Sequence, residues 1–148
     1  MNRRTLLQSI PAAALLSVTD LSASSSNKSI PMPADTTVYE LRIYHVIEGK
    51  LPALLARFRD HTTKLFEKHR MKNVAYWTPT DDPQKSNTLV YILAHPSRGA
   101  ADANWKSFRV DPDWIAVRDQ SEAAGKLVEK IDSTFLTPTD FSPPLAQS

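Results

Sequence analysis

TVYELRIYHV, residues 37–46, alternates with a two-residue period: Thr37, Tyr39, Leu41 and Ile43 against Val38, Glu40, Arg42 and Tyr44. Successive side chains of a strand point to opposite faces, so this stretch predicts a strand with one face that can be buried and another carrying Glu40, Arg42 and Tyr44. A sheet built on it has two faces to account for.

Working outward, Gly49 in EGKL turns the chain into a helix, with Pro52 tolerated in the first turn, where the backbone amides have no acceptor inside the helix. Leu51, Leu54, Leu55, Phe58, Leu65 and Phe66 form an apolar stripe running to about Arg70, and the face with Arg57, Asp60, Lys64 and Lys68 is expected to be solvated. KNVAYWTPT (72–80) and SNTLVYILAHP (86–96) read as strands joined by a turn at DDPQK (81–85). The run Leu89 to Ala94 is apolar on both sides, as a central strand should be.

Ser97 is placed to cap a helix whose Ala101, Trp105 and Phe108 share a face. Asp111 and Pro112 open a second helix with Trp114 and Val117 inward and Gly125 at its end. LVEKIDSTFL (127–136) is the last strand, and a Pro-rich tail follows. The order is βαββαβ with a doubled second helix, the split pattern of an α+β, ferredoxin-like sandwich.

The chain has 148 residues, of which 41% are hydrophobic and 23% charged, which fits one soluble domain. It has no cysteine, which excludes thiol nucleophiles, disulfides and Cys-type metal sites. Residues 1–34 read as an export signal and disordered linker: Arg3 and Arg4 precede an apolar stretch from about Ile10 to Val18, too short to span a bilayer. NRRTLLQ within it is similar to a twin-arginine signal, so a periplasmic or secreted location is expected. Arg3, Arg4 and Lys28 against Asp20 account for the formal net charge of +2, so the domain from Asp35 to Ser142 carries no basic stripe for nucleic acid or an anionic membrane. Residues 143–148 are tail.

YELRIY (39–44), GKL (49–51), FRDH (58–61), FEKH (66–69), YWTP (76–79), NTLVY (87–91), FRVDPDW (108–114), SE (121–122) and FLTPTDFS (135–142) together resemble the NIPSNAP family. The resemblance covers about residues 37–142. It implies a dimeric α/β barrel, in which two four-stranded sheets meet face to face and the helices lie outside. On that arrangement Leu41 and Ile43 are expected to meet the helices, while Glu40, Arg42 and Tyr44 point toward a second subunit. Buried charges there would have to be paired and hydrogen-bonded. The family carries no catalytic motif across, so the resemblance implies a fold without a mechanism.

Five residues stand out as ligand-binding candidates: His61, Trp77, Arg42, Tyr44 and His69. His61 and His69 lie eight positions apart, too far along a helix to grip one metal, but each is placed to reach a cleft between helix and sheet. The competing reading is a histidine held by hydrogen bonds at the edge of the core. Arg42 offers a planar donor fork and Glu40 an acceptor, for a carboxylate or carbonyl ligand or else for a salt-bridge network at an interface. Trp77 offers a flat apolar wall with one donor. No phosphate loop, dinucleotide fingerprint, nucleophile elbow or HExxH motif is present, so neither metal nor cofactor is expected.

Two functions compete. One is an exported homodimer binding a small apolar or aromatic molecule; the other is a cofactor-independent monooxygenase-like enzyme, which desolvates an electron-rich aromatic substrate and stabilises its anion.

Overall fold

The computed structural model describes residues 37–145, and the expected export signal and linker lie outside the described residues. Four antiparallel strands, β1 (Val38–Val46), β2 (Lys72–Trp77), β3 (Thr88–His95) and β4 (Val128–Leu136), form one sheet in the order β2-β3-β1-β4. β1 and β3 are central, as the apolar run in β3 predicts. The helices α1 (Leu51–Arg57), α2 (Thr63–Lys68), α3 (Arg98–Arg109) and α4 (Pro112–Ser121) complete the ferredoxin-like order. None of the described helices is long and apolar enough to cross a membrane.

The capping chemistry acts as the sequence implies. Ser97 Oγ accepts the Ala100 amide at 3.1 Å, and Asp111 Oδ1 accepts the Asp113 amide at 2.8 Å. α4 ends at Ser121, earlier than Gly125, which instead takes a φ of +106° in the following turn.

The expected single helix over 51–70 is interrupted. α1 and α2 are joined by a π turn, Phe58–Thr62, in which the Thr63 amide reaches back to the Phe58 carbonyl and Thr62 Oγ1 donates to the Arg57 carbonyl at 3.2 Å. This wider turn holds one more residue than an α turn. Thr62, four residues after Phe58 on the stripe, is 1% exposed, and His61, at the stripe's margin, is exposed to solvent.

The helix-covered face of the sheet is the reverse of the one expected. Tyr44 is buried against Phe58 and Tyr91, with ring centroids 5.7 and 5.3 Å away, and Glu40 is 1% exposed. Glu40, Arg42 and Tyr44 therefore lie under the helices, and Leu41 and Ile43 occupy the open face beside Ile92 and Val90. The reason is that the polar groups of β1 find their partners within the same chain, so the buried charge is satisfied without a second subunit.

Arg57 also departs from expectation. It is 6% exposed rather than solvated, because its guanidinium turns toward α4. Above the sheet, Phe58, Phe66, Tyr91, Trp105 and Phe108 make a continuous aromatic cluster, each such burial worth roughly 1.5–3 kcal/mol.

Candidate functional site

Glu40 sits at the centre of a polar network inside this cluster. Its carboxylate accepts from Arg42 Nη1 at 2.6 Å, Ser133 Oγ at 2.7 Å, Trp105 Nε1 at 2.6 Å and His95 Nε2 at 3.0 Å. The donors come from β1, β4, α3 and β3, so one side chain ties four elements together. Burial by itself would raise the Glu40 pKa, but the bonds from His95, Trp105, Ser133 and Arg42 lower it from 4.5 to about 2. Arg42 stacks over the Trp105 ring at 4.2 Å. Burial opposes its charge too, and the neighbouring Tyr91, Tyr44 and Glu40 outweigh that, leaving its pKa above the ordinary value.

Glu40, His95 and Trp105 are buried, Arg42 is part-buried, and the network reaches solvent at Ser133 on the edge strand β4. The accessible part of the helix-covered face lies next to it, where β4 is only partly covered. There a cleft of about 380 Å³ opens between α4 and the β1–β4 pair. Tyr44 and Ile131, paired across the strands, form its floor, and Trp114 with Arg57 forms one wall. Ile131 is 42% exposed, an apolar side chain left uncovered at the bottom of a concave surface. Arg118, Glu122, Lys126, Glu129 and Lys130 make up the charged rim.

Arg57 is fixed from α4. Its Nη1 donates to Ser121 Oγ at 3.1 Å and to Glu122 Oε1 at 3.2 Å, and its guanidinium lies 5.2 Å from the Trp114 ring centroid. Its Nε is buried and has no hydrogen-bond partner among the described residues. Behind Arg57, a smaller cleft of about 270 Å³ between α1 and α4 is lined by Ala53, Asp60, His61 and Val117. A third hollow, about 720 Å³, lies among the loops at Glu48, Pro52, Pro83 and Lys85. It is the roomiest of the three but has no aromatic wall, whereas the first cleft sets the Tyr44 and Trp114 rings and Ile131 beneath a charged rim.

The profile of the NIPSNAP family matches residues 39–143. The chain belongs to the NIPSNAP family. Among solved structures, this NIPSNAP chain is similar to an uncharacterized NIPSNAP-like domain protein from Burkholderia xenovorans, at 17% identity and TM-score 0.65, over 76% of this chain and 94% of that one. A NIPSNAP family protein with unknown function from Agrobacterium tumefaciens is similar at 24% identity and TM-score 0.63, over 76% and 96%. A second NIPSNAP family protein from that organism is similar at 21% identity and TM-score 0.63, over 72% and 97%. At these identities the likeness is one of fold. No curated protein matches the chain.

Within this NIPSNAP domain the residues singled out from the sequence separate. Tyr44 lines the main cleft and Arg42 is its neighbour on β1, stacked in the network behind it. His61 lines the small cleft on the far side of Arg57, between helices rather than between helix and sheet. Trp77 is half exposed on the opposite sheet face, paired with Val90, so it shares no cavity with His61. His69 is engaged at both ring nitrogens: its Nδ1 meets Ser107 Oγ at 2.9 Å and its Nε2 donates to Asp111 Oδ2 at 2.6 Å. Among the described residues no three His, Asp or Glu side chains group as metal ligands.

Arg57, Trp114 and Ile131 escape a reading based on periodicity. The signal that could have found Arg57 is its place in LLARF, next to the apolar stripe instead of opposite it. Ile131 has no local signal, because only the absence of a helix over that stretch of β4 exposes it.

Proposed function

We propose that this NIPSNAP protein binds a small apolar or aromatic molecule in the cleft between α4 and the β1–β4 pair. The observation that supports the reading is Ile131, 42% exposed between Tyr44 and Trp114 at the base of a cleft of about 380 Å³. That volume lies at the lower end of small-molecule sites, which span on the order of 300–1,000 Å³, and suits a ligand of one or two rings. Arg57 supplies the polar contact and the Trp114 and Tyr44 rings the flat apolar one. In this reading the first helix packs against the sheet and holds no ligand beneath it.

The sheet's open face supports a second element of the proposal, a homodimer. Leu41, Ile43, Val90 and Ile92 lie together there, only half buried, with Trp77 at the β2 edge. A second copy of the same face covers them, as membership in a family of dimeric barrels implies, and leaves the ligand cleft free on the helix side. Export by the twin-arginine route stays part of the proposal on the strength of Arg3, Arg4 and the apolar stretch after them.

The ligand reading is tested by titrating the protein with a neutral solvatochromic dye such as Nile red, alongside an Ile131→Glu variant. Saturable binding that the charged variant abolishes supports it. Binding unaffected by Ile131→Glu, or no saturable binding, overturns it.

A further inference from the structure

The walls of the α4–β4 cleft are electrically lopsided. Arg57, Arg118, Lys126 and Lys130 face Glu122 and Glu129, an excess of positive charge in a domain whose formal charges balance overall. The cations differ in how they are engaged. Arg118 is bound to the adjacent Asp119 at 2.8 Å, and Lys130 is paired with Asp132, two residues along β4, at 2.8 Å. Lys126 is exposed and makes no ion pair among the described residues. Arg57 is 4% exposed at its side chain, with Nε lacking any partner among the described residues and Nη1 divided between Ser121 and Glu122 at 3.1 and 3.2 Å. A buried guanidinium usually has its donors filled, and a planar carboxylate fills two of them at once.

We infer that the ligand of this cleft is an aromatic carboxylate, which rests on the binding reading given above and names its chemical class. The ring system lies between Trp114 and the Tyr44–Ile131 floor, and the carboxylate turns toward Arg57. Glu122 is then an internal stand-in for the ligand's acid group. It holds Arg57 when the cleft is empty and gives way, being on the turn after α4 and 26% exposed at its side chain, when a better-placed carboxylate arrives. Lys126, at the mouth, attracts the anion without contacting the ring. One prediction is specific to this arrangement: removing the negative charge of Glu122 tightens binding of the acid, and removing the positive charge of Lys126 weakens it. A merely apolar cleft responds to neither change.

The experiment compares 1-naphthoate with 1-naphthamide, equal in size and differing in charge, by isothermal titration of the full chain at low and high salt. Naphthoate is expected to bind at least about tenfold tighter at low salt, with the advantage shrinking as salt screens it. Glu122→Gln should tighten naphthoate but not naphthamide, and Lys126→Ala should weaken naphthoate and leave naphthamide unchanged. Lys126 is exposed, whereas Glu122 is the counter-charge of buried Arg57, so the Glu122→Gln titration is read alongside its melting temperature, and the Lys126→Ala arm and the naphthoate–naphthamide comparison test the inference without it. Equal affinity of the two compounds overturns the carboxylate inference while leaving the cleft as a binding site. If neither compound binds and Nile red does not either, the binding reading fails with it.

Discussion

The Trp105 indole N–H donates to Glu40 Oε2 at 2.6 Å while Arg42, bonded to the same carboxylate, lies 4.2 Å over the indole ring. One helix residue thus meets the anion and the cation of a single buried pair, through its edge and through its face. α3 is located on the sheet by this contact as much as by the apolar packing of Ala101 and Phe108.

Acid should weaken the fold through Glu40. Its pKa is depressed from 4.5 to about 2, so its contribution is complete above pH 4.5 and is lost as pH falls from there toward 2. At 1.36 kcal/mol per unit the difference is about 3 kcal/mol. Glu40→Gln leaves Arg42 without its counter-charge and should cost about 3–5 kcal/mol at neutral pH. Urea denaturation at pH 7 and pH 3 checks both: the variant's stability should change less between the two pH values than that of the parent. Parallel pH profiles would sink the assignment.

The π turn depends in part on Thr62, whose hydroxyl donates to the Arg57 carbonyl at 3.2 Å in a buried position. Thr62→Val keeps the shape and removes that bond, for an expected loss of about 1 kcal/mol. Chemical denaturation measures it, and an unchanged midpoint would mean that the backbone alone holds the turn.

Arg70, two residues past the end of α2, has a φ of 59°, a left-handed conformation that side chains disfavour. Gly at this position should raise stability by up to about 1 kcal/mol, and Val, branched at Cβ, should lower it. The order Gly, Arg, Val in melting temperature is the expected result; a reversed order would place the strain elsewhere.

The open sheet face predicts association. The parent protein should sediment at twice the chain mass at micromolar concentration, and Ile43→Glu, which puts a charge opposite Val90 on that face, should shift it toward monomer. A parent protein that sediments at the chain mass across that range contradicts the dimer.

Much of the fold is legible in the sequence because it rests on local signals. The alternation of β1, the caps at Ser97 and Asp111 and the doubly apolar β3 each mark an element without help from the rest of the chain. Which face of β1 is buried is another matter. Leu41 and Ile43 look like the inward set by polarity, yet Glu40 and Arg42 are inward because His95, Trp105 and Ser133, distant in sequence, complete their hydrogen bonds. β3, apolar on both sides, offers no way to choose between the faces. The site was hidden for a related reason. The cleft exists where α4 falls short of covering Ile131, which is a consequence of packing between elements.

The claim that the cleft beside Trp114 is the binding site can be read from the chain's own indoles. Trp77, Trp105 and Trp114 each give one side-chain N–H signal in a nitrogen–proton correlation spectrum. Titrating 1-naphthoate into the full chain should move the Trp114 signal saturably and leave Trp77, on the opposite sheet face, unmoved. A saturable shift of Trp77 with Trp114 unchanged, or no shift at any indole, would contradict the account.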